Sequence, residues 1–229
     1  MKPGSQEYHC AGESCGEVFQ APPVMFAGRD IAATRRCPSC VAKWEAEQIA
    51  GDSPSELAES WNGICPPLYR ENDLSRIPDA LKAAAANWEG KRWLGFAGKA
   101  GTGKTRAAFI ALRRMHYAGK DCYAITGTQL RRLLSDAYAD NQSDRAEARL
   151  TIKTIRSCRY LLLDDLGKQR FTEAAQEDVF DLLETRAAWE RPIIWTTNSG
   201  AKDLSNRLSS DRADAIIRRL AEFSDITKL

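Results

Sequence analysis

Apolar and polar positions follow two rhythms along this chain. Short apolar runs of strand type stand at WLGFA (93–97), CYAIT (122–126), YLLLDDLG (160–167) and PIIWTT (192–197), and FSDITKL (223–229) reads as a fifth. Between the first two, TRAAFIALRRMHYAG (105–119) sets Phe109, Leu112 and Met115 at helical spacing and stops at Gly119, a residue type that closes helices. Strands alternating with helical segments predict a parallel α/β sheet covered on both faces. Ahead of it the pattern predicts a helix around Leu57 to Trp61, a turn at CPPLYREN (65–72) and a helical stretch from Pro78 to Trp88. VAKWEAEQI (41–49) predicts a short helix that GDSPSE (51–56) breaks, which puts a boundary near Gly51. The expected organisation is a small domain over 1–50, a linker and helical lead-in over 51–90, and the main domain over 91–229. There is no internal repeat and no low-complexity tract.

Composition sharpens this picture. With 229 residues, 43% hydrophobic and 28% charged, the chain has room for one ordinary core and a satellite. No run approaches the roughly 18 apolar residues of a membrane-spanning helix. The amino terminus, MKPGSQEYHC, is polar rather than a charged stretch leading into an apolar one. A cytoplasmic protein without membrane attachment is expected. Lysines and arginines number 33 against 31 acidic residues, a net charge of +2, so bulk charge cannot hold nucleic acid and any contact needs a local basic patch.

Four of the seven cysteines, Cys10, Cys15, Cys37 and Cys40, form a C-x4-C and a C-x2-C pair, while Cys65, Cys122 and Cys158 stand alone. Zn²⁺ takes four soft ligands in a tetrahedron, and each close pair can offer two thiolates. Disulfides compete for the same residues, but an odd total, three isolated cysteines and no secretory signal favour a metal. His9 is an alternative ligand beside Cys10. The first forty residues hold few large apolar side chains, among them Val18, Phe19, Met25 and Phe26, and such a segment needs a staple to fold. The expected zinc is structural, with no open position for catalysis.

The run WLGFA feeds directly into GKAGTGKT. This is the phosphate-binding pattern G-x-x-x-x-G-K-[ST], and all of it, Gly98, Lys99, Ala100, Gly101, Thr102, Gly103, Lys104 and Thr105, with Arg106 behind, is the candidate nucleotide cradle. The glycines let backbone N–H groups turn towards phosphate oxygens, Lys104 supplies a charge, Thr105 a hydroxyl for Mg²⁺, and the helix that follows points its amino terminus at the anion. The run YLLLDDLG ends in two carboxylates, as a parallel strand does when its carboxyl end faces phosphates. Asp164 is placed to hold Mg²⁺ and Asp165 to polarise the attacking water. PIIWTT runs into Asn198, a polar amide where strand ends meet the γ phosphate.

Taken in order, GKAGTGKT, GKDCYAIT with TQLRRLL, YLLLDDLG, RPIIWTTN and DRADAIIRRL resemble the AAA+ ATPases of the DnaC and DnaI helicase-loader type and the IstB transposition type, over about residues 60–229. The resemblance implies a P-loop AAA+ (ASCE) parallel sheet flanked by helices. It also implies that Lys104 and Thr105 bind ATP phosphates and Mg²⁺, that Asp164 is the metal-side carboxylate, Asp165 the catalytic acid position and Asn198 the first sensor. Arg219, with Arg218 as its close alternative, would be the arginine finger that reaches a neighbouring subunit's nucleotide. Many relatives carry glutamate where Asp165 stands; one methylene less implies slow hydrolysis. The chain runs only briefly past Arg219, so adenine is expected to rest on the segment before the loop, at Pro67, Leu68 and Tyr69 rather than on a helical lid. In arrangement, the cysteine-rich unit resembles the helicase-binding domain of DnaI-like members.

Arg145, Arg149, Lys153 and Arg156 recur at spacings of four, four and three, which puts them on one side of a helix. Arg131, Arg132 and Arg159 add to the surroundings. The resemblance implies contact with single-stranded DNA here, while Asp144 and Glu147 interleave as they would on an ordinary solvated face. The leading expectation is an ATP-dependent helicase-loading factor for DNA replication. It would dock a hexameric replicative helicase through the zinc unit, bind single-stranded DNA and self-associate through the finger. A transposition accessory acting on target DNA with a transposase is the alternative. A small-molecule phosphotransferase and a non-hydrolysing adaptor are more distant ones.

Overall fold

A computed structural model describes residues 6–11, 15–21, 25–26, 29–30, 37–40, 53–70, 74–167, 171–198 and 211–229. The helix expected over 41–49 and its break at Gly51 lie outside them. The chain divides into two compact units, Met1–Ser53 and Pro54–Leu229.

In the first unit, β1 (Gln6–His9) pairs antiparallel with β2 (Val18–Ala21), and the two-residue strands β3 (Met25–Phe26) and β4 (Arg29–Asp30) pair likewise. Tyr8 is buried opposite Phe19, with ring centroids 6.1 Å apart. That pair is the whole hydrophobic cluster among the described residues of this unit.

The second unit carries five parallel strands: β5 (Trp93–Ala97), β6 (Cys122–Thr126), β7 (Tyr160–Asp164), β8 (Ile193–Thr197) and β9 (Ser224–Lys228), in the spatial order β6-β7-β8-β5-β9. Alternate residues serve opposite faces, as the pleat requires. Trp93, Leu161, Leu163, Ile193 and Trp195 pack with α5 (Gly127–Asp136), α6 (Gln142–Ser157), α7 (Glu173–Ala188) and α8 (Asp211–Phe223). Leu94, Phe96, Leu162 and Ile194 pack with α1 (Pro54–Ile64), α3 (Asp79–Asn87) and α4 (Lys104–Tyr117). A sheet buried on both faces explains the near-continuous apolar runs of its strands.

Two expectations about the lead-in shift. The CPPLYREN turn contains a short helix, α2 (Pro67–Arg70), and α1 starts at Pro54 inside the expected break. Both begin on proline, which is pre-set for a first helical position. The terminal strand starts at Ser224, because Phe223 closes α8 and packs on Trp93.

Strand β5 comes first in sequence but lies between β8 and β9, so its carboxyl end sits at a switch in strand order where α/β sheets bind ligands. Trp195 on β8 lies opposite Gly95 and reaches Ser224 on β9 with its indole N–H at 2.7 Å. A Cβ on Gly95 would fall 2.4 Å from the indole Cζ2. Gly95→Ala is therefore expected to cost about 1–3 kcal/mol of stability by overpacking, read as a lower urea midpoint; an unchanged midpoint would reject this account. Arg186 is fully buried and donates to the carbonyls of Ile155, Cys158, Arg159 and Pro192, tying the end of α6 to the starts of β7 and β8.

Candidate nucleotide site and cysteine cluster

The loop between β5 and α4 is shaped by its glycines. Gly101 and Gly103 have φ of 80° and 85°, a left-handed conformation that side chains disfavour. Gly103 caps α4, and a Cβ there would lie 2.7 Å from the carbonyl oxygen of Arg76. Lys104, the first residue of α4, is 5% exposed, and its ammonium donates to the carbonyls of Gly98 (3.0 Å) and Lys99 (2.6 Å) and to Thr102 Oγ1 (3.3 Å). Burial pulls its pKa down, against the pull of the Asp165 and Asp164 charges. Ala100 is exposed.

Across the cleft, the ends of β7 and β8 converge on the start of α4. Thr105 Oγ1 and Thr196 Oγ1 both donate to Asp164 Oδ1, at 2.9 and 2.7 Å. Burial raises the Asp164 pKa, and these two hydroxyl bonds oppose the rise. The Asp165 N–H donates to Thr196 Oγ1 at 2.8 Å, and Asn198 Nδ2 donates to Asp165 Oδ1 at 2.6 Å. Asp165 has φ of 56°, a conformation that aspartate tolerates better than most residues and that is held where surrounding bonds over-determine it.

Between these walls lies a cleft of about 410 Å³, within the roughly 300–1,000 Å³ of small-molecule sites. It is lined by Thr102, Lys104, Thr105, Asp164, Asp165 and Asn198, together with Leu68, Tyr69, Arg76 and Arg106. Tyr69 stacks on Phe109 with centroids 5.2 Å apart and planes inclined by 13°, and the Arg106 guanidinium lies over the Tyr69 ring, 5.7 Å from its centroid. Burial raises the Tyr69 phenol pKa, and the Asp164 charge adds to it. The hydroxyl and carboxylate oxygens of Thr105 and Asp164 are hard donors of the kind Mg²⁺ takes. Arg76 and Thr196 were not legible as site residues: the first is one arginine in an irregular segment, the second a β-branched residue in a run that already reads as strand.

Other expected positions lie elsewhere. Arg219 is engaged by Glu184 and, at 2.9 Å, by Glu222, whereas Arg218 is exposed. On α6, Arg149 and Lys153 are exposed and Arg145 is half-buried. Arg156 turns to Asp181 on α7, 2.6 Å away. The four cationic residues thus do not share one solvent-facing row.

In the first unit the thiols of Cys10, Cys15, Cys37 and Cys40 lie within 4.8 Å of one another. His9 ends β1, exposed and outside the cluster. The Cys15 and Cys37 sulfurs are 3.7 Å apart, and a tetrahedral site with metal–sulfur bonds of about 2.3 Å has sulfur–sulfur edges of about 3.8 Å. The N–H groups of Cys37 and Cys40 donate to Cys10 Sγ (3.1 Å) and Cys37 Sγ (3.4 Å), bonds that thiolates accept well. Four sulfurs so disposed can hold Zn²⁺.

Comparison with known proteins agrees with this geometry. The family of IstB-like ATP binding proteins matches residues 81–229. A search of curated proteins returns no match. Among solved structures, the DnaC helicase loader is 20% identical with a TM-score of 0.58, over 72% of this chain and 99% of that one. DnaI is 17% identical with a TM-score of 0.56, over 72% of this chain and 90% of that one. AMPPCP-bound DnaA from Aquifex aeolicus is 19% identical with a TM-score of 0.52, over 72% of this chain and 50% of that one. A DNA replication initiation factor is matched over 44% of its length, so this chain spans about half the length of such initiators or less. These likenesses establish a P-loop AAA+ fold, with five parallel strands flanked by helices. No helix among the described residues is long and apolar enough to cross a membrane.

Proposed function

The chain belongs to the IstB-like ATP-binding family, and from that premise we propose that it is an ATP-dependent factor that loads a replicative helicase onto single-stranded DNA. The observation that carries this reading is the joining of a four-cysteine cluster to a nucleotide cleft in one chain. The cysteine unit, held by Zn²⁺, grips the hexameric helicase. ATP binding and slow hydrolysis in the second unit time its release.

In the cleft, the N–H groups at the start of α4 and the Lys104 ammonium bind the β and γ phosphates. Thr105 and Asp164 would hold Mg²⁺, which when bound would supply positive charge against that developing on the phosphoryl oxygens. Asp165 accepts a hydrogen bond from the attacking water and aims its oxygen at the γ phosphorus, opposite the departing ADP oxygen. Asn198, now on Asp165, moves to the γ phosphate when ATP arrives and frees that carboxylate. Tyr69 and Leu68 cover the adenine. Arg218 is the stronger candidate to reach a neighbouring subunit, since Arg219 must first give up two carboxylates. Arg149 and Lys153, with Arg145 at their edge, contact DNA phosphates, so binding is sensitive to salt and indifferent to sequence.

The test mixes the full chain with the host's hexameric helicase and single-stranded DNA, with and without ATP. A stable complex and ATP-dependent transfer of helicase to DNA are expected. ATP-dependent filaments on duplex DNA without helicase contact would instead establish a transposition accessory, and hydrolysis stimulated by a metabolite but not by DNA would establish a phosphotransferase.

A further inference from the structure

The geometry points to Thr196 as a positioning residue that aims both aspartates of the cleft through a single hydroxyl. The inference deepens the hydrolytic reading above and rests on it for its catalytic half. Thr196 is 2% exposed. Its Oγ1 donates to Asp164 Oδ1 at 2.7 Å and accepts the Asp165 N–H at 2.8 Å. These bonds use the hydroxyl's single donor and one of its two acceptor lone pairs, so the side chain is held by its two neighbours and holds them in turn.

The bond to the Asp165 N–H matters most, because that residue sits at φ 56°. An unusual backbone angle persists only where the surrounding structure over-determines it. Here Thr196 holds the amide and Asn198 holds the carboxylate. The next bonds continue the same seam: the Leu166 N–H donates to the Thr196 carbonyl at 2.8 Å, and Thr197 Oγ1 donates to the Leu166 carbonyl at 2.6 Å. The chain leaving β7 is thus pinned along the end of β8, and the Thr196 hydroxyl is the pin at the reacting end. Thr196 touches neither phosphate nor water in this scheme. Its effect passes through the direction in which the Asp165 carboxylate points.

Valine keeps the shape of threonine and removes the hydroxyl; serine keeps the hydroxyl and removes the methyl. In the full chain without nucleotide, Thr196→Val is expected to speed hydrogen exchange at the Asp165 amide, while Thr196→Ser leaves it near wild type. Loss of partners that orient a working group commonly costs about 10–100-fold, so kcat for ATP hydrolysis should fall by that factor in Thr196→Val. Affinity for a fluorescent, non-hydrolysable ATP analogue should stay within a few-fold, and Thr196→Ser should recover most of kcat. Thr196→Ala gives the same exchange readout should the valine variant misfold. Wild-type exchange and kcat in Thr196→Val would overturn the inference, as would a serine variant as impaired as the valine one. Absence of hydrolysis in the wild-type protein would sink the hydrolytic reading instead, and the exchange measurement would then decide the positioning role alone.

Discussion

Lys104→Ala is expected to abolish ATP turnover while leaving the protein folded. The Lys104 side chain is buried beside the phosphate loop, and its hydrogen-bond partners among the described residues are two carbonyls and a hydroxyl. Those partners are neutral, so phosphate oxygens are better ones, and exchange of the first set for the second favours binding. A hydrogen bond to a charged group is worth about 1.5–3 kcal/mol, and the bond to the transferring phosphoryl group strengthens as charge develops. Removal should lower kcat/KM by roughly a hundredfold or more, since about 1.4 kcal/mol is a factor of ten. The fold should survive, because burial of an ammonium is itself costly and alanine is the best helix former for the first turn of α4. Steady-state hydrolysis together with a thermal melt checks both halves. Turnover within a few-fold of wild type would show that the lysine only shapes the loop.

Withdrawal of zinc should undo the first unit. Its one hydrophobic cluster among the described residues is Tyr8 against Phe19, worth a few kcal/mol at about 25 cal/mol per Å² buried. That is small beside the cost of ordering a chain, about 1–2 kcal/mol for each residue fixed. Metal binding is the larger contribution: in zinc-finger peptides it is worth about 10–16 kcal/mol near neutral pH. Purified protein should carry one zinc per chain. Chelation or Cys37→Ser should collapse the amide dispersion of β1 and β2 and, on the function proposed above, abolish helicase capture. A unit that keeps its dispersion without metal would refute the four-thiolate staple.

Much of the second unit was legible because a sheet buried on both faces writes its strands as plain apolar runs. The phosphate loop was legible for a different reason, since its glycines and lysine answer to local backbone geometry and one anion. Features that depend on pairing across long stretches were not. Nothing near IIRRL signals that Glu184, from another helix, claims Arg219, and nothing near α6 signals that Asp181 claims Arg156. The four-four-three spacing is a fact about the helix; which side of it faces α7 is a fact about tertiary packing. Arg186 reads as one more surface cation until the carbonyls converging on it are seen. The departure from glutamate at Asp165 also acquires a second meaning. At φ 56° the shorter side chain suits the backbone, so glutamate there would trade reach for conformational strain.

The strand that frames the phosphate loop takes both of its partners, β8 and β9, from far along the chain, and Arg92, beside β5, pairs with Asp225 across 133 residues. Contacts of that span form late, since closing the intervening loop must precede any gain from it. The nucleotide cleft should therefore be among the last parts of the unit to mature during refolding. ATP binds only the matured form, so it should protect β9 from proteolysis and raise the melting temperature in proportion to the logarithm of its concentration. Lesions in β9, whose Lys228 pairs with Ala97 just before the loop, should in turn weaken apparent nucleotide binding by lowering the population of the assembled sheet on which the loop stands.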